Sequence, residues 1–307
     1  MTIRSFIPTR VTPIFCYGSL LPMQDRAHVM QDAACLGPAI LQGAELYDLG
    51  CFPGIQLVED GDELVVGMLY EVDDALLATL DHIEGHHPAD EEHSFFKRTR
   101  VMARRLAEGA NLRVQTYVYP SAHGEGHAIS HGDYRRHLLE TQEEQQWVVA
   151  YGSNLDPECI TERLGRMPEA RVGSLEDMEL IFNKQGNGDN VYANVRFAPH
   201  ASTPAVAYRL DTDQLAALDA CEGTPSHYLR LAIVFTSTDG TKELMQAYLA
   251  HPDRLLDPYK LRSPRNGYLD HLLKGYRHWG LDEGEMVWVA GSQPGVRDWA
   301  ANPSRGS

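Results

Sequence analysis

Residues 149–155 read Val-Ala-Tyr-Gly-Ser-Asn-Leu, and residues 15–21 read Phe-Cys-Tyr-Gly-Ser-Leu-Leu. In both segments an apolar run stops at Tyr-Gly-Ser, which predicts a buried strand followed by a turn that glycine permits. After the second segment, Asp156 and Pro157 are typical of a helix N-cap and first helical position, and Gly165 is typical of a helix end. We therefore expect a strand, a tight loop and a helix, with loop N–H groups available to an anion.

The two segments belong to a repeat with a long period. Tyr17 and Tyr151 lie 134 positions apart, and so do Tyr134 and Tyr268. Solenoid repeats have periods of roughly 20–50 residues, so this longer period indicates duplication of a whole small domain. A chain of 307 residues fits two such domains. The predicted boundaries are 11–141 and 147–281 for the two domains and 282–307 for a C-terminal tail.

The composition argues against a nucleic-acid or membrane partner. The formal net charge is −16, whereas nucleic acid and anionic membranes require a basic surface. No apolar run approaches the ~20 residues of a membrane-spanning helix, and the N-terminus lacks the apolar core of a signal peptide. The five cysteines form no Cys-x-x-Cys pair, which favours a reducing cytoplasm over a disulfide framework. Cys16 and Cys221, which adjoin the motifs, are interpreted as small buried apolar residues.

Periodicity and turn residues predict a similar order of elements in both halves. In the first half Asp73 or Asp74 is expected to cap a helix, and in the second half Asp211 or Thr212 is expected to do so. A polar loop is predicted at 184–190. The other predicted elements are strands at 63–72, 114–119, 147–150, 179–183, 191–197, 205–210, 229–236 and 244–250, and helices at 133–146, 157–164 and 268–279.

The capped helix of each half ends in a glutamate followed by glycine, Glu84-Gly85 and Glu222-Gly223. The negative end of the helix dipole disfavours an ionised carboxylate there, and burial adds to the upward shift of its pKa. A carboxylate with a raised pKa suits proton transfer near neutral pH. Because the pattern recurs in step with the Tyr-Gly-Ser loop, Glu84 and Glu222 are the candidate catalytic residues.

Each half carries an ordered set of motifs that resembles one superfamily. The second half resembles the γ-glutamylcyclotransferases over nearly its whole length. The first half is similar to the AIG2-like branch, but Leu20 replaces Asn154 of the loop and Phe96 stands where the second half has Tyr228. The motifs are 151–155, Phe182-Asn183, Ala193-Asn194-Val195, Leu218-Asp219-x-x-Glu222-Gly223, Tyr228, Ser263-Pro264 and Tyr268 in the second half, and 17–20, Phe52-Pro53-Gly54, 69–72 and Leu80-Asp81-x-x-Glu84-Gly85 in the first.

The resemblance implies an α+β fold of two tandem small mixed β-barrels flanked by helices, each with its cavity at one end. It also implies a reaction in which the α-amine of a γ-glutamyl group attacks its own γ-carbonyl, so that 5-oxoproline forms and a free amine leaves. The expected partner is a small-molecule γ-glutamyl substrate, which the pocket would hold in a curled shape. The reaction needs no metal or nucleotide cofactor.

The resemblance also implies roles for single residues. Glu222, and in the first half Glu84, would move the proton. Tyr228 and Tyr268 would close the second pocket and orient the substrate. Loop N–H groups would hold the α-carboxylate and the reacting carbonyl oxygen. The expected loop residues are Tyr151, Gly152, Ser153, Asn154 and Leu155 in the second half and Tyr17, Gly18, Ser19 and Leu20 in the first.

Two other functions fit parts of the sequence. Either domain could hold a γ-glutamyl or pyroglutamyl ligand without turnover. Hydrolysis with Ser153 or Ser19 as the nucleophile is disfavoured, because the Gly-x-Ser-x-Gly elbow is absent. The histidines at 82–93 and 123–131 are interpreted as solvated loop residues rather than metal ligands.

The two halves differ in the residues that would position a substrate. Asn154 and Tyr228 can make hydrogen bonds, whereas the side chains of Leu20 and Phe96 cannot. Holding a zwitterionic glutamyl group depends on such polar contacts. We therefore expect the second domain to carry most of the activity on simple γ-glutamyl amides.

Overall fold

The computed structural model describes residues 11–59, 61–120, 124, 126–257, 264–284 and 286. They divide into two compact units. One unit holds Ala110–Tyr134 and the described residues before Leu106, and the other holds Leu106–Gly109 and the described residues from Arg135 onward. Each unit contains a closed barrel, so the expected fold class of two tandem mixed barrels with flanking helices is confirmed. Most of the predicted tail, from residue 287 onward, lies outside the described residues.

The first unit is a mixed five-stranded barrel with a small additional sheet. Its described strands are β1 (Val11–Cys16), β2 (Ala34–Gln42), β3 (Ala44–Asp48), β4 (Pro53–Leu57), β5 (Leu64–Asp73), β6 (Lys97–Arg105), β7 (Asn111–Val118) and β8 (His127–Ala128). The barrel closes in the order β1-β5-β2-β6-β7, and β4-β3-β8 form the second sheet. Strand β1 is parallel to β7 and antiparallel to β5, which makes the barrel mixed. Ile14, Met68 and Leu80 are part of its buried apolar core.

The second unit repeats the barrel with a longer hairpin. Its described strands are β9 (Gln146–Ala150), β10 (Glu169–Gln185), β11 (Val191–Leu210), β12 (Tyr228–Ser237) and β13 (Lys242–Ala250). They close in the order β10-β11-β9-β13-β12, with β9 parallel to β13. The predicted strands were too short: 179–183 is part of β10, and 191–197 and 205–210 are both part of β11. Lys184 belongs to β10 rather than to the predicted loop. The hairpin continues through a bend at Asp177 and His200, where the His200 N–H donates to Asp177 Oδ1 at 2.8 Å.

The helices begin and end largely where the capping residues predict. The described helices are α1 (Asp74–Ile83), α2 (Tyr134–Gln142), α3 (Pro157–Leu164), α4 (Thr212–Glu222) and α5 (Asn266–Trp279). Asp73, Asp156 and Asp211 each accept a backbone N–H as N-caps. The predicted helix 133–146 was too long, because the chain already enters β9 at Gln146. Within the described residues, no helix combines the length and the apolar character needed to cross a bilayer.

Candidate active site

A cavity of about 280 Å³ lies beside the loop that follows β1. Its size approaches the ~300 Å³ at which small-molecule pockets in proteins begin. The loop comes from the end of one barrel strand and the glutamate from the end of α1, so residues far apart in sequence meet here. The lining includes every first-half residue that the sequence predicted, namely Tyr17, Gly18, Ser19, Leu20 and Glu84.

Glu84 is half-buried at this cavity and belongs to its lining. It caps the C-terminal end of α1, where its backbone N–H donates to the Leu80 carbonyl at 2.9 Å. Among the described residues, its carboxylate takes part in no hydrogen bond or ion pair. Burial raises the pKa of Glu84 to about 7, against the opposing positive charge of Arg26. A carboxyl group that titrates near neutrality can both accept and return a proton.

Aromatic rings form part of the cavity wall. Phe52, Phe95 and Phe96 line it, and the ring centroid of Phe95 lies 5.6 Å from that of Phe52 and 5.4 Å from that of Phe96. Tyr119 packs on the same cluster, 5.2 Å from Phe95. Rings at these distances support one another in edge-to-face contacts. The exposed side chain of Arg26 also reaches the lining, so the cavity offers both an apolar surface and a cation.

The second barrel has a cavity of only about 40 Å³ at the corresponding loop. That volume accommodates a few water molecules and is too small for a glutamyl group. Leu155, which was expected to contact the substrate, is fully buried and lies outside the lining. It lies against Gly275 of α5 instead, and Trp279 Nε1–H of the same helix donates to its carbonyl at 2.9 Å. The predicted residues that do line the cavity are Tyr151, Gly152, Ser153, Asn154, Glu222, Tyr228 and Tyr268.

Glu222 is held by two neighbouring side chains. Arg163 Nη1 forms an ion pair with Glu222 Oε1 at 2.8 Å, and Asn154 Nδ2 donates to the same oxygen at 2.9 Å. Arg163 Nη1 also donates to Asn154 Oδ1 at 2.6 Å. Asn154 was expected to bind the substrate, whereas here its amide is used within the protein. The sequence did not predict the contact of Arg163 with Glu222, because a position on the predicted helix 157–164 does not indicate which side chain it contacts.

Tyr228 and Tyr268 both bond to one residue of β11. The Tyr228 hydroxyl donates to the Ala193 carbonyl at 3.2 Å, and the Ala193 N–H donates to the Tyr268 hydroxyl at 3.1 Å. Both rings are buried or nearly so. These bonds fix the two rings at the wall of the small cavity.

The two Tyr-Gly-Ser loops form the same turn. The Leu21 N–H donates to the Gly18 carbonyl at 3.0 Å, and the Leu155 N–H makes the equivalent bond in the second loop. The expected use of the Leu155 N–H for a substrate anion is therefore wrong, because the turn itself occupies that donor. Among the described residues, the N–H groups of Ser19 and Leu20 have no acceptor, so they are the candidate donors to a ligand.

A duplicated hydrogen-bond network, absent from the sequence prediction, ties each loop tyrosine to the aspartate of the Leu-Asp motif. In the first barrel the Tyr17 hydroxyl donates to the Tyr117 carbonyl at 2.7 Å, and the Tyr117 hydroxyl donates to Asp81 Oδ1 at 2.8 Å. Arg98 completes the network with an ion pair to Asp81 at 3.0 Å. The network holds α1 against the barrel and so positions the glutamate that follows. The equivalent residues of the second barrel are Tyr151, Tyr248, Asp219 and Arg230.

The other candidate nucleophiles and ligands differ in their surroundings. Cys16 is buried as predicted, and burial raises the pKa of its thiol, which keeps the thiol protonated. Cys221 is exposed, contrary to the prediction. The burial of His86 also differs from the prediction, because this side chain lies buried against a tyrosine ring rather than in solvent. Among the described residues, neither the Ser19 nor the Ser153 hydroxyl has a histidine partner, so hydrolysis by a Ser–His pair is not supported.

Comparison with known families connects this geometry to a chemistry. The family model described as "Gamma-glutamyl cyclotransferase, AIG2-like" matches residues 14–136 and again residues 148–268. The chain belongs to this family. Among curated members of the gamma-glutamylcyclotransferase family, YtfP of Escherichia coli K12 is 41% identical over 68 residues, which is 22% of this chain and 58% of YtfP. The ytfP protein of Citrobacter rodentium is also 41% identical over 68 residues and is covered over 57% of its length. The chain therefore spans a little over half the length of these relatives.

The tandem arrangement of this gamma-glutamyl cyclotransferase family chain is also found in a solved structure. YkqA from Bacillus subtilis matches with a TM-score of 0.71 and 18% sequence identity, over 93% of this chain and 99% of YkqA. At this identity the similarity concerns the fold. Since almost the full length of both chains is matched, both barrels have counterparts in YkqA.

Proposed function

We propose that the first barrel is catalytic and releases 5-oxoproline from γ-glutamyl amides, with Glu84 as the general acid and base. One observation carries the proposal: the Glu84 carboxylate is unpartnered among the described residues, with a pKa raised by burial to about 7, in a cavity of about 280 Å³. Family membership supports the reaction class. This proposal replaces the expectation that the second domain carries most of the activity, because Glu222 is paired with Arg163 beside a cavity of about 40 Å³.

The reaction requires only bond exchange within one substrate molecule. The α-nitrogen of the glutamyl group forms a bond to the γ-carbonyl carbon, and the bond from that carbon to the amine nitrogen breaks. Glu84 takes a proton from the attacking nitrogen and passes it to the leaving nitrogen, so no proton is consumed overall. Because both reacting groups belong to one molecule, the main contribution of the pocket is to hold the chain curled.

The first cavity also contains groups that suit the charged ends of a glutamyl substrate. The N–H groups of Ser19 and Leu20 have no acceptor among the described residues, and we assign to them an oxyanion or carboxylate, which preorganised backbone donors bind in acyl-transfer enzymes. Arg26 lines the same cavity and carries a fixed positive charge. We assign the substrate α-carboxylate to Arg26 and the γ-carbonyl oxygen to the loop.

We further propose that the amine half of the substrate is apolar and preferably aromatic. A glutamyl group leaves part of the 280 Å³ cavity unfilled, and the wall formed by Phe52, Phe95 and Phe96 is available to the rest of the substrate. Leu20 and Phe96, which replace the Asn and Tyr of the second half, make the same region less polar. An aromatic amine would bury its ring against this wall.

The proposed setting is the cytoplasm, with a small molecule as the partner. All five cysteines are present as thiols rather than as disulfides, which supports a reducing compartment. The second barrel, with its glutamate already neutralised, is proposed to be non-catalytic.

Mass spectrometry of the products tests the proposed function. The full chain is incubated with γ-glutamylphenylalanine and with γ-glutamylglycine, and the products are identified. Cyclisation yields 5-oxoproline and the free amino acid. Glutamate as the product would instead indicate hydrolysis, and saturable binding without product would indicate a ligand-binding protein.

A further inference from the structure

Three metal-binding side chains meet in the second unit, outside the cavity of that barrel. Asp156 precedes α3, Cys159 lies in the first turn of α3, and His271 comes from α5. The His271 Nδ1 atom is 2.6 Å from Asp156 Oδ2 and 3.3 Å from Cys159 Sγ. Cys159 Sγ lies 3.8 Å from the same carboxylate oxygen. One carboxylate, one thiol and one imidazole therefore converge on a single point.

The carboxylate of Asp156 is already oriented for such a role. Its Oδ1 accepts the Glu158 N–H at 3.0 Å as the N-cap of α3, which leaves Oδ2 directed at the other two side chains. The Asp156 side chain is 1% exposed, whereas that of His271 is 45% exposed. The site thus combines a fixed, buried ligand with an accessible one.

A catalytic Cys-His-Asp relay does not fit this arrangement. In a relay the histidine uses one ring nitrogen for the nucleophile and the other for the orienting carboxylate. Here the same Nδ1 atom contacts both the thiol and the carboxylate. Three ligand atoms around one point are instead the arrangement that a metal ion requires.

We propose that Asp156, Cys159 and His271 bind a zinc-class divalent cation, with solvent as the fourth ligand. A mixed oxygen, nitrogen and sulfur set suits Zn²⁺ and its substitute Co²⁺ better than Mg²⁺ or Ca²⁺, which prefer oxygen ligands alone. Metal–ligand distances of about 2.0–2.3 Å place ligand atoms of a tetrahedral site about 3.3–3.6 Å apart. The three observed separations differ from that range by less than ~1 Å, which the exposed His271 side chain can accommodate. Binding deprotonates the thiol and releases one proton to solvent.

The proposed ion would connect α5 to the start of α3. The two helices already contact each other there, because Lys274 Nζ forms an ion pair with Glu158 at 2.8 Å. The sequence pattern did not indicate this site, because the proposed histidine ligand is His271 and the pattern drew attention to the histidines at 82–93 and 123–131. It lies outside the proposed catalytic chemistry, and its expected effect is on the stability of the second unit.

Cobalt titration of the full chain tests the proposal. The protein carries Cys51→Ser and Cys221→Ser, which remove the two exposed thiols, and is titrated with Co²⁺ alone. We expect one-to-one binding, visible bands of tetrahedral Co²⁺ and a thiolate-to-cobalt charge-transfer band. Cys159→Ser should abolish the charge-transfer band, and His271→Gln should weaken binding at least tenfold. His278→Gln, an exposed histidine on the same helix, should leave affinity and spectrum unchanged.

Two results would overturn the site. One is a titration without saturable one-to-one binding in the parent protein. The other is a charge-transfer band that persists in Cys159→Ser. Because Cys159→Ser could perturb packing, circular dichroism and metal-free melting of each variant are recorded first. His271→Gln, which changes a side chain that is 45% exposed, supplies the second independent variant if Cys159→Ser does not fold.

Discussion

The two barrels carry the same loop and the same glutamate, yet their pockets have opposite characters. In the first barrel Glu84 is unpartnered among the described residues in a cavity of about 280 Å³. In the second barrel Glu222 is bonded to Arg163 and Asn154 beside a cavity of about 40 Å³. The repeated motif places a carboxylate at the end of a helix in both cases. The neighbouring side chains determine whether that carboxylate is held in hydrogen bonds and an ion pair.

The difference begins at one loop position. Asn154 donates to Glu222 and accepts from Arg163, whereas Leu20 at the equivalent position can do neither. In the first half the chain after the loop enters turns and a short 3-10 helix, Ala27–Met30, rather than a helix that carries an arginine to the glutamate. Leu20, whose apolar side chain suggested a lost substrate contact, therefore gives Glu84 no hydrogen-bonding partner at this loop position.

The largest expected effect comes from a matched pair of glutamate substitutions. Glu84→Gln should lower the initial rate of 5-oxoproline release by at least the ~10²-fold expected for loss of a general base, because glutamine keeps the size but cannot take the proton. Glu222→Gln should leave the rate within about twofold of that of the unmodified protein. Both variants are compared at equal folded concentration, with circular dichroism as the control for folding. If Glu222→Gln abolishes the rate and Glu84→Gln spares it, the catalytic and silent barrels are reversed.

Much of the fold could be predicted from local sequence signals. Asp156, Pro157 and Gly165 define α3 because capping and turn chemistry depend on adjacent residues. The partners of Glu222 could not be predicted. Its contact with Arg163 joins two helices, and the two residues lie 59 positions apart in the sequence. The same limit applies to Asp81, whose motif is visible but whose bonds to Tyr117 and Arg98 depend on the closed barrel.

The pH dependence of the rate is the second test, because it follows the protonation of the group that moves the proton. With its pKa raised by burial to about 7, Glu84 is active as the carboxylate and inactive when protonated. The value of kcat/KM should therefore fall about tenfold per pH unit below pH ~7. A profile that stays flat from pH 7 down to pH 5 would show that the group controlling the rate is not Glu84.

Folding stability provides an independent measurement of the same group. The native pKa of Glu84 is raised above its ordinary value of 4.5, so the native state retains a proton that the unfolded state has released. Its stabilising contribution is therefore fully present below pH ~4.5 and is lost as pH rises through about 7. Relative to Glu84→Gln, the unmodified protein should lose stability over this range, by at most about 3 kcal/mol. Urea unfolding at pH 5 and pH 8 measures the difference.

The aromatic wall gives a smaller, substrate-dependent effect. Phe95 lines the first cavity and is 50% exposed, so Phe95→Ala should fold normally. We expect kcat/KM for γ-glutamylphenylalanine to fall about tenfold, as suits loss of ~1–1.5 kcal/mol of aromatic contact, while γ-glutamylglycine changes less than twofold. Met102→Ala, an equally exposed apolar residue outside the cavity lining, is the matched control. Equal losses for both substrates would reject the aromatic preference but leave the cyclotransferase proposal intact.

The last expected effect does not concern the rate but the stability of the barrel proposed to be non-catalytic, and it depends on the ion pair that distinguishes this barrel. Arg163→Met removes the cation but keeps an unbranched apolar side chain, so the largely buried Glu222 carboxylate keeps Asn154 but loses its ion-pair partner. We expect a loss of roughly 1–3 kcal/mol, the usual cost of leaving a buried polar group unsatisfied. All four tryptophans lie from residue 147 onward, so urea unfolding followed by tryptophan fluorescence reports this half of the chain. Adding Glu222→Gln should recover part of the loss, since the uncompensated charge is then gone. Strict additivity of the two substitutions would mean that the ion pair contributes nothing, and the contrast between the two glutamates would then depend on cavity size alone.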